Sequence, residues 1–338
     1  MSKIMRNLWL IMLIVCVGLL LFGGVVEAVE QEVISVYTSL DDWEAARLLN
    51  RFTEDTGIKA TFMRLSAGEM FARVYAEKAA PKADIIMGAS TPEHSALAGK
   101  DLLEHYVSPN TAEVDPKLID PEGYTNAFFV WAIGFGVNKK LVEDAKLRYP
   151  ETFDDLLDPC WKDEIIVSRP YASSTSYTMV SAILQWKGES EGFEYLKKLG
   201  SNVLFYTSSG AAPCRSSASG ETMIGISAGH DILKTIVAGY GVKLIYPKPT
   251  SWSTGAVSII KGGPNTEGAK KFIDWCFTKS AQQLHADISY RLGTIPGIIM
   301  PPGTPTLEDL ELIEEDLEWM SVNHDRICDT WKKEVEGL

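Results

Sequence analysis

The sequence is poor in the residues that bind metals and form disulfides. Its 338 residues include only five cysteines and five histidines, with no CxxC spacing and no Cys/His pattern. Protein metal sites use such spacings, so we predict neither a metal site nor a cofactor. Cys16 lies in an apolar N-terminal run. The other four permit two disulfides in three connectivities, and free buried thiols are an equally open alternative; they are Cys160, Cys214, Cys276 and Cys328.

Positive charge is also scarce. The chain has 32 basic and 45 acidic residues, a formal net charge of −13. This balance argues against nucleic acid or an anionic membrane surface as the partner. It leaves a small anionic ligand open, because helix N-termini attract anions at short range whatever the net charge. Internal repeats and a flexible linker between domains are absent from the sequence as well.

The first thirty residues differ from the rest. Lys3 and Arg6 precede an almost wholly apolar run from Leu8 to Val26, and Val26-Glu27-Ala28 places small residues where signal peptidase cleaves. We predict that residues 1–28 are a cleaved signal peptide and that the mature chain is periplasmic. An uncleaved membrane anchor is the alternative, because the apolar run is long enough to span a bilayer.

From residue 33 onward, strand-like and helix-like segments alternate. Val33–Tyr37, Ile58–Met63 and Asp84–Met87 have the β-rich composition of strands, and apolar residues at helical spacing lie between them. This βαβαβ order predicts a parallel sheet with helices on both faces. The later predicted strands are Ile165–Val167, Val203–Tyr206 and Gly255–Ile260, and the later predicted helices are Thr175–Gln185, Phe193–Leu199, Thr266–Lys279 and 307–337.

The loops after the first strands are candidate ligand contacts, because open α/β sheets bind ligands beyond the carboxyl ends of their strands. Several of these residues have competing structural roles. Ser39 could cap the next helix, and Ser66 with Glu69 has capping-box spacing. Arg64 could face an anion or form a surface salt bridge. The predicted contacts in this half are Thr38, Ser39, Ser66, Ala89 and Ser90.

The second half offers hydroxyl-rich helix starts. Ser173-Ser174-Thr175-Ser176 precedes a predicted helix, and capping needs only one of these hydroxyls. Free backbone N–H groups and the helix dipole would complete an anion cradle. Ser208-Ser209-Gly210 is a similar small loop, with an ordinary turn as the alternative. We predict ligand contacts from Ser173, Ser174, Thr175, Ser209 and Gly210.

An adjacent imidazole and carboxylate, His230 and Asp231, open another predicted helix. They suit ligand hydroxyls as donor and acceptor, although Asp231 could simply be a cap. Trp252 is the preferred aromatic contact because it lies where the chain is expected to cross back between lobes. Three other aromatics lie near these loops, where sugar rings could stack on them, but such side chains are more often part of a core; they are Trp131, Tyr171 and Tyr177.

An ordered series of segments resembles the type II periplasmic solute-binding proteins of ABC importers, in the branch with ferric-ion, hexose-phosphate and phosphonate receptors. The segments are Val36-Tyr37-Thr38-Ser39, Ala83-Asp84-Ile85-Ile86-Met87-Gly88, Trp131-Ala132-Ile133-Gly134-Phe135-Gly136-Val137-Asn138, Ser208-Ser209-Gly210-Ala211-Ala212-Pro213, Gly229-His230-Asp231 and Gly255-Ala256-Val257-Ser258-Ile259-Ile260. Iron-binding relatives carry adjacent tyrosines at about the position of the His-Asp pair, and sugar-phosphate relatives resemble His-Asp.

The resemblance implies an α/β fold of two lobes, each a mainly parallel sheet flanked by helices, with a ligand cleft between them. Lobe one would comprise residues 29–130 and 255–306, and lobe two residues 131–254. Residues 307–338 would form C-terminal helices on either lobe. The lobes would close by a hinge motion around the ligand, and the monomeric receptor would deliver that ligand to a membrane permease.

The leading functional prediction is an extracytoplasmic receptor that captures a small polar anion, with a sugar phosphate or an organophosphonate preferred. Ferric ion is the alternative, but it needs several phenolate or carboxylate ligands and the sequence has no Tyr-Tyr pair. An enzyme with Cys160 or Cys214 as nucleophile is disfavoured, because no histidine lies near either residue in the sequence.

Overall fold

The computed structural model describes residues 32–337, so the predicted signal peptide lies outside the described residues. Strands and helices alternate along most of this length. The strands are β1 (Val33–Thr38), β2 (Lys59–Arg64), β3 (Ile85–Ser90), β4 (Leu103–Glu104), β5 (Asn126–Asn138), β6 (Ile165–Ser168), β7 (Val203–Thr207), β8 (Ile224–Ala228), β9 (Val242–Ile245), β10 (Trp252–Ile260) and β11 (Leu292–Gly293).

The helices lie between these strands and after the last of them. They are α1 (Asp42–Thr56), α2 (Ala67–Ala76), α3 (Thr91–Ala98), α4 (Lys139–Asp144), α5 (Ser174–Lys187), α6 (Glu189–Gly200), α7 (Ala212–Ser219), α8 (Gly229–Val237), α9 (Thr266–Cys276), α10 (Lys279–Ser289) and α11 (Leu317–Trp331). Short 3-10 turns occupy Pro109–Glu113, Pro116–Leu118, Asp154–Leu157, Pro159–Trp161 and Leu307–Asp309.

Each lobe has a parallel set of strands, as predicted, but the strands that join the lobes run antiparallel to it. β1 pairs in parallel with β2 and β3, and β6 pairs in parallel with β7 and β8. β10 and β5 are antiparallel to their neighbours. The connections in the parallel sets pass through helices, which are needed to bring the next strand back in the same direction.

β5 is the strand that both lobes share. All 13 of its residues are buried. Its first half, up to Ala132, pairs with β10, whereas from Ile133 onward it pairs with β8. The residues just before β10, where the chain returns to lobe one, are hydrogen-bonded to β5 at this point. Ile133 N–H donates to the carbonyl of Ser251 at 2.8 Å, and the Thr250 hydroxyl donates to the Ile133 carbonyl at 2.8 Å. The residue limits expected for the lobes stay a prediction.

The helices cover the sheets with apolar faces that the sequence periodicity predicts. Phe52 of α1 is fully buried and meets the rings of Phe272 and Trp275 at centroid distances of 5.0 and 5.5 Å. The predicted helix from Thr266 ends at Cys276, and a new helix begins at Lys279 after Thr278 caps it by accepting from Ala281 N–H. The apolar side chains on one face of α9 are buried: Ala269, Phe272, Ile273 and Cys276.

The C-terminal segment is less helical than predicted. The expectation of helix over 307–337 is wrong between Leu310 and Asp316. The backbone there pairs instead with Thr250, just before β10. Thr250 N–H donates to the Glu311 carbonyl at 2.7 Å, and Ile313 N–H donates to the Thr250 carbonyl at 2.8 Å. The helix α11 begins only after Asp316, whose side chain caps it.

The last helix contacts both lobes. Lys100, just after α3, pairs with Asp325 at 2.8 Å. On the other side, the Tyr177 hydroxyl of α5 donates to the Met320 carbonyl. A π-helical turn, Lys332–Glu336, follows α11, and its Glu336 forms an ion pair with Arg169 at 2.6 Å. The C-terminal segment therefore lies along the junction rather than on one lobe.

Two further sequence questions are answered within residues 32–337. All four cysteines in this range are free thiols; Cys160 is exposed and Cys214, Cys276 and Cys328 are buried. None of the helices in this range has the length and apolarity needed to cross a bilayer.

A buried histidine makes stability depend on pH. His94 of α3 lies within 2.9 Å of the Ser258 hydroxyl and 2.6 Å of the Gly88 carbonyl. Burial lowers the pKa of folded His94 from 6.5 to about 4. As the pH falls below 6.5, His94 binds a proton in the unfolded chain but stays neutral in the folded chain. The free energy of unfolding therefore decreases as the pH falls below this value.

We predict that His94 contributes a loss of up to about 1.4 kcal/mol of unfolding free energy per pH unit between pH 6.5 and 4. Urea denaturation of the wild type and of His94→Gln at several pH values measures this slope. The variant should show a smaller slope, whereas His105→Gln, at an exposed position, should keep the wild-type slope. Equal slopes for all three proteins would contradict the prediction.

Candidate ligand-binding cleft

One cavity lies between the two lobes, beside β5. Its empty volume is about 620 Å³ when its open mouth is included. Both lobes contribute to its walls. The lining residues are Ser39, Leu40, Asp41, Arg64, Ser66, Ala67, Ala89, Phe129, Trp131, Ala172, Ser173, Ser174, Thr175, Ser208, Ser209, Gly210, Ala211, His230, Asp231 and Arg291.

Most of the residues predicted as ligand contacts line this one cavity. They come from six segments that are far apart in the sequence, and each segment lies at the end of a strand or at the start of a helix. Their contact with a ligand stays a prediction. The predicted residues at the cavity are Ser39, Ser66, Ala89, Ser173, Ser174, Thr175, Ser209, Gly210, His230 and Asp231.

Thr38 and Ser90 lie outside the cavity, which corrects their prediction. Both side chains are fully buried and take part in local hydrogen bonds. The Thr38 hydroxyl accepts from Leu40 N–H at 3.1 Å, and the Ser90 hydroxyl donates to the Glu93 carboxylate at 2.6 Å. These hydroxyls stabilise the turn into a helix, so they are not presented to a ligand.

Trp252 also lies outside the cavity, and Trp131 lines it instead. The two residues sit on paired strands, but Trp252 is level with Ala132 and Trp131 is level with Ser253. Side chains alternate between faces along a strand, so an offset of one residue directs the two indoles to opposite faces. Trp131 makes an edge contact with the His230 ring at a centroid distance of 6.3 Å.

The lobe-one wall is made by strand ends that already use part of their polar groups. Ala89 has a φ of +63°, a left-handed conformation that is uncommon outside glycine. Its N–H donates to the Ser39 hydroxyl at 2.8 Å, so this donor is already used within the protein. Ser66 and Glu69 form the predicted capping box at the start of α2.

The lobe-two wall is formed mainly by the start of α5. The first helical bond runs from Tyr177 N–H to the Ser173 carbonyl at 3.0 Å, so the preceding N–H groups have no partner within the helix. The Ser173 side chain makes no cap, and the first turn has no acidic residue. The Ser174 hydroxyl is buried without a hydrogen-bond partner. This end of the helix favours an anion.

The loop before α7 packs against the same helix start. A Cβ added at Gly210 would lie 2.4 Å from the Thr175 Oγ1 and 2.7 Å from the Ser173 Oγ, so only glycine fits there. The Ser227 hydroxyl holds the loop by donating to the Gly210 carbonyl at 2.8 Å. Helix α7 likewise has no acidic residue in its first turn. Two helix starts without an acidic residue therefore meet at one place, and at α7 the Cys214 N–H already donates to the Ser227 hydroxyl at 3.1 Å.

The start of α8 gives the cavity a different character. His230 and Asp231 are both buried and their side chains lie 3.6 Å apart. Burial, with the charges of Arg291 and Lys234, holds the pKa of His230 well below 6.5, so its ring is neutral. Burial alone would raise the pKa of Asp231, but Lys234, through its charge and its hydrogen bond, and Arg291 together with the His230 ring outweigh burial, so the pKa is lowered and the carboxyl is ionised.

Two arginines complete the site. Arg291 was missed because no local motif marks it: it follows α10 and reaches the cleft only through the fold. Its guanidinium pairs with Glu44 at 2.8 Å and lies over the Phe129 ring at 4.9 Å, and its buried Nε has no hydrogen-bond partner. Arg64 lines the cavity as one sequence reading proposed, and among residues 32–337 it has no ion-pair partner.

The thiols do not have the properties of nucleophiles. Burial raises the pKa of Cys214 to about 12, and desolvation with the nearby Asp158 raises that of Cys160 to about 11, so both remain protonated at neutral pH. Across the described part of the chain there is also no group of three or more His, Cys, Asp or Glu side chains placed to hold a metal ion.

The two walls touch each other at the edge of the cleft. Gly68 N–H of α2 approaches the Ala172 carbonyl at 3.4 Å, and a Cβ added at Gly68 would lie 2.3 Å from the Tyr171 carbonyl oxygen. Arg215 pairs with Asp41 across the gap at 2.7 Å. The lobes are thus in a closed arrangement, and glycine at position 68 is needed for the approach.

Residues 80–322 match the family of bacterial extracellular solute-binding proteins, and the chain belongs to this family. An uncharacterized protein of Haemophilus influenzae is 32% identical over 89% of this chain and 90% of its own length. Iron uptake protein A1 of Synechocystis is 26% identical over 80% of this chain and 78% of its own length.

A solved structure is similar over nearly the whole chain. It is the periplasmic binding protein AfuA from Actinobacillus pleuropneumoniae with exogenous fructose 6-phosphate bound, with 31% identity and a TM-score of 0.88 over 90% of this chain and 99% of that one. The chain is therefore a two-lobed solute-binding protein, the substrate-binding component of an ABC importer. Proteins of this family are receptors and not enzymes.

We predict that Gly68→Ala hinders closure while leaving the fold intact. The added methyl would overlap the Tyr171 carbonyl of the facing lobe only when the cleft is closed. Such overpacking costs about 1–3 kcal/mol, whereas alanine is a better helix former than glycine.

Small-angle X-ray scattering should show a larger radius of gyration for Gly68→Ala than for the wild type, with an unchanged or higher melting temperature. Gly241→Ala is the matched control, because a Cβ there has nothing within 4 Å. A Gly68→Ala protein as compact as the wild type would show that this contact does not limit closure.

Proposed function

We propose that this receptor captures a small organic phosphate or phosphonate, with sugar phosphates preferred, and releases it to a membrane permease. The observation that carries the proposal is the meeting of α5 and α7, two helix starts without acidic residues, around the unpartnered hydroxyl of Ser174. The bound fructose 6-phosphate of AfuA, a protein 31% identical to this one, supports the same ligand class.

The anionic group would lie against α5 and the loop before α7. Backbone N–H groups and hydroxyls at a helix N-terminus are the usual donors to phosphate oxygens. Ser173, Ser174 and Thr175 supply the hydroxyls on one side, and Ser209 and Gly210 supply the loop on the other. Arg64, which lacks an ion-pair partner among residues 32–337, adds a positive charge to the cavity.

The rest of the ligand would lie at the other helix start. Asp231 is an ionised acceptor, and the neutral His230 ring can donate from one nitrogen and accept at the other. Trp131 offers an apolar ring edge nearby. Hydroxyl groups of a ligand can satisfy this set of donors and acceptors, because a hydroxyl both donates and accepts.

We further infer that residues 1–28 direct export and are then removed, so that the mature monomer works in the periplasm. The basic and apolar pattern of these residues, and the periplasmic location named for AfuA, support this. The net charge of −13 disfavours nucleic acid as a partner.

Ferric ion is the alternative ligand, because the Synechocystis relative is named as an iron uptake protein. Hard Fe(III) requires several anionic oxygen ligands. Asp41 and Asp231 are the carboxylates that line the cavity, both already face lysine, and no tyrosine lines the cavity within the described range. These features favour the organic anion.

A ligand screen tests the proposal. Fructose 6-phosphate should raise the melting temperature, because a ligand at ten times its Kd stabilises the folded state by about 1.4 kcal/mol. Fructose, inorganic phosphate and ferric citrate are the comparison ligands. Stabilisation by unphosphorylated fructose would contradict the anion site, and a stoichiometric, chelator-resistant ferric complex would favour the alternative function.

Ser174→Ala tests the anion cradle directly. Loss of a hydrogen bond to a charged ligand should weaken fructose 6-phosphate binding roughly 10- to 100-fold. Stability without ligand should not fall, because the Ser174 hydroxyl has no partner to lose. Calorimetric titration and urea denaturation measure the two effects.

Ser181→Ala is the matched control, since Ser181 is a buried serine on the same helix that does not line the cavity. It should bind fructose 6-phosphate with wild-type affinity. Equal affinities for Ser174→Ala and the wild type would place the phosphate elsewhere.

A further inference from the structure

Lys234 of α8 contacts three carboxylates at once. Its ammonium lies 2.8 Å from Asp231 of the same helix, 2.7 Å from Glu44 and 3.1 Å from Asp41. Asp41 and Glu44 stand at the start of α1, on the lobe-one wall. One lysine therefore connects a cavity residue of lobe two with two residues of lobe one.

The environment makes these contacts strong. The Glu44 side chain is completely buried, and the side chains of Asp231 and Lys234 are 9% and 16% exposed. Solvent screens ion pairs of this kind much less than surface pairs. Removing one partner of a buried pair leaves an uncompensated charge, which is strongly unfavourable.

The surrounding charges balance. Arg291 takes the second oxygen of Glu44 at 2.8 Å, and Arg215 takes the second oxygen of Asp41 at 2.7 Å. Three carboxylates thus face three cations, all supplied by the protein. Lys234 itself does not line the cavity.

We propose that Lys234 is a positioning residue that acts as a latch: it fixes the Asp231 carboxylate for the ligand and holds the two lobes closed by pairing with Asp41 and Glu44. The latch uses only groups of the protein, so it biases the free receptor toward closure. The role of Asp231 as a ligand contact rests on the proposed function. The closure of the lobes by Lys234 does not.

The latch couples ligand contact to lobe contact. If the lobes separate, Glu44 and Asp41 move away from Lys234, and Asp231 becomes its sole carboxylate partner. Lys234 already shifts the equilibrium between open and closed lobes toward the closed state. A ligand that bridges Asp231 and the lobe-one wall therefore shifts it further in the same direction.

Lys234→Met tests the latch, because methionine keeps much of the chain length and removes the charge. Without ligand, its radius of gyration in solution scattering should exceed that of the wild type. With fructose 6-phosphate as the probe, its Kd should rise about tenfold or more. Lys271→Met is the control: Lys271 also has an ion pair, with Glu32 at 3.0 Å, away from the cleft.

Asp41→Asn is the second variant, and it decides the question if Lys234→Met does not fold. It removes the lobe-one partner that Lys234 shares with Arg215 and leaves the contact between Lys234 and Asp231 intact. It should also increase the radius of gyration without ligand. A double-mutant cycle of Asp41→Asn with Lys234→Met should be non-additive in Kd, as expected for groups in contact.

Unchanged radii of gyration in both variants would overturn the latch. Weaker binding by Lys234→Met at an unchanged radius would overturn it too, since the lysine would then act on Asp231 alone. If the wild type does not bind fructose 6-phosphate, the proposed ligand fails, while the ligand-free radii still decide whether the latch exists.

Discussion

The two lobes share the strand β5, and this constraint determines where a ligand can bind. The strand is buried along its full length and changes its partner from β10 to β8 between Ala132 and Ile133. The sheets on either side therefore present their strand ends to the same gap. Helices that follow those strands begin at the gap, so their positive ends converge on the cavity.

Charge is distributed unevenly around that gap. Helices α1 and α8 carry carboxylates in or beside their first turn, and the cations Lys234, Arg215 and Arg291 neutralise them. Helices α5 and α7 have no acidic residue in theirs. The cavity thus has one end with a balanced ion-pair network and one end where two helices begin without an acidic residue. A ligand with one anionic group and several hydroxyls matches this asymmetry.

Local sequence signals predicted much of the fold and of the cleft. The strands, their following loops and the helix starts are encoded within a few residues, so Ser174, Gly210 and His230 could be placed from the sequence. Arg291 could not, because its partner Glu44 lies 247 residues away along the chain. Trp252 was placed wrongly for a similar reason: its face depends on its register against β5, and an offset of one residue reverses it.

The central claim is that the anionic group of the ligand lies where α5 and α7 begin. The most direct measurement is a crystal structure of the receptor with fructose 6-phosphate. We predict that the phosphate oxygens lie within hydrogen-bonding distance of the Ser174 hydroxyl and of backbone N–H groups at the start of α5, with the sugar hydroxyls near His230 and Asp231. A phosphate bound on the other side of the cavity, with the sugar against α5, would contradict this account.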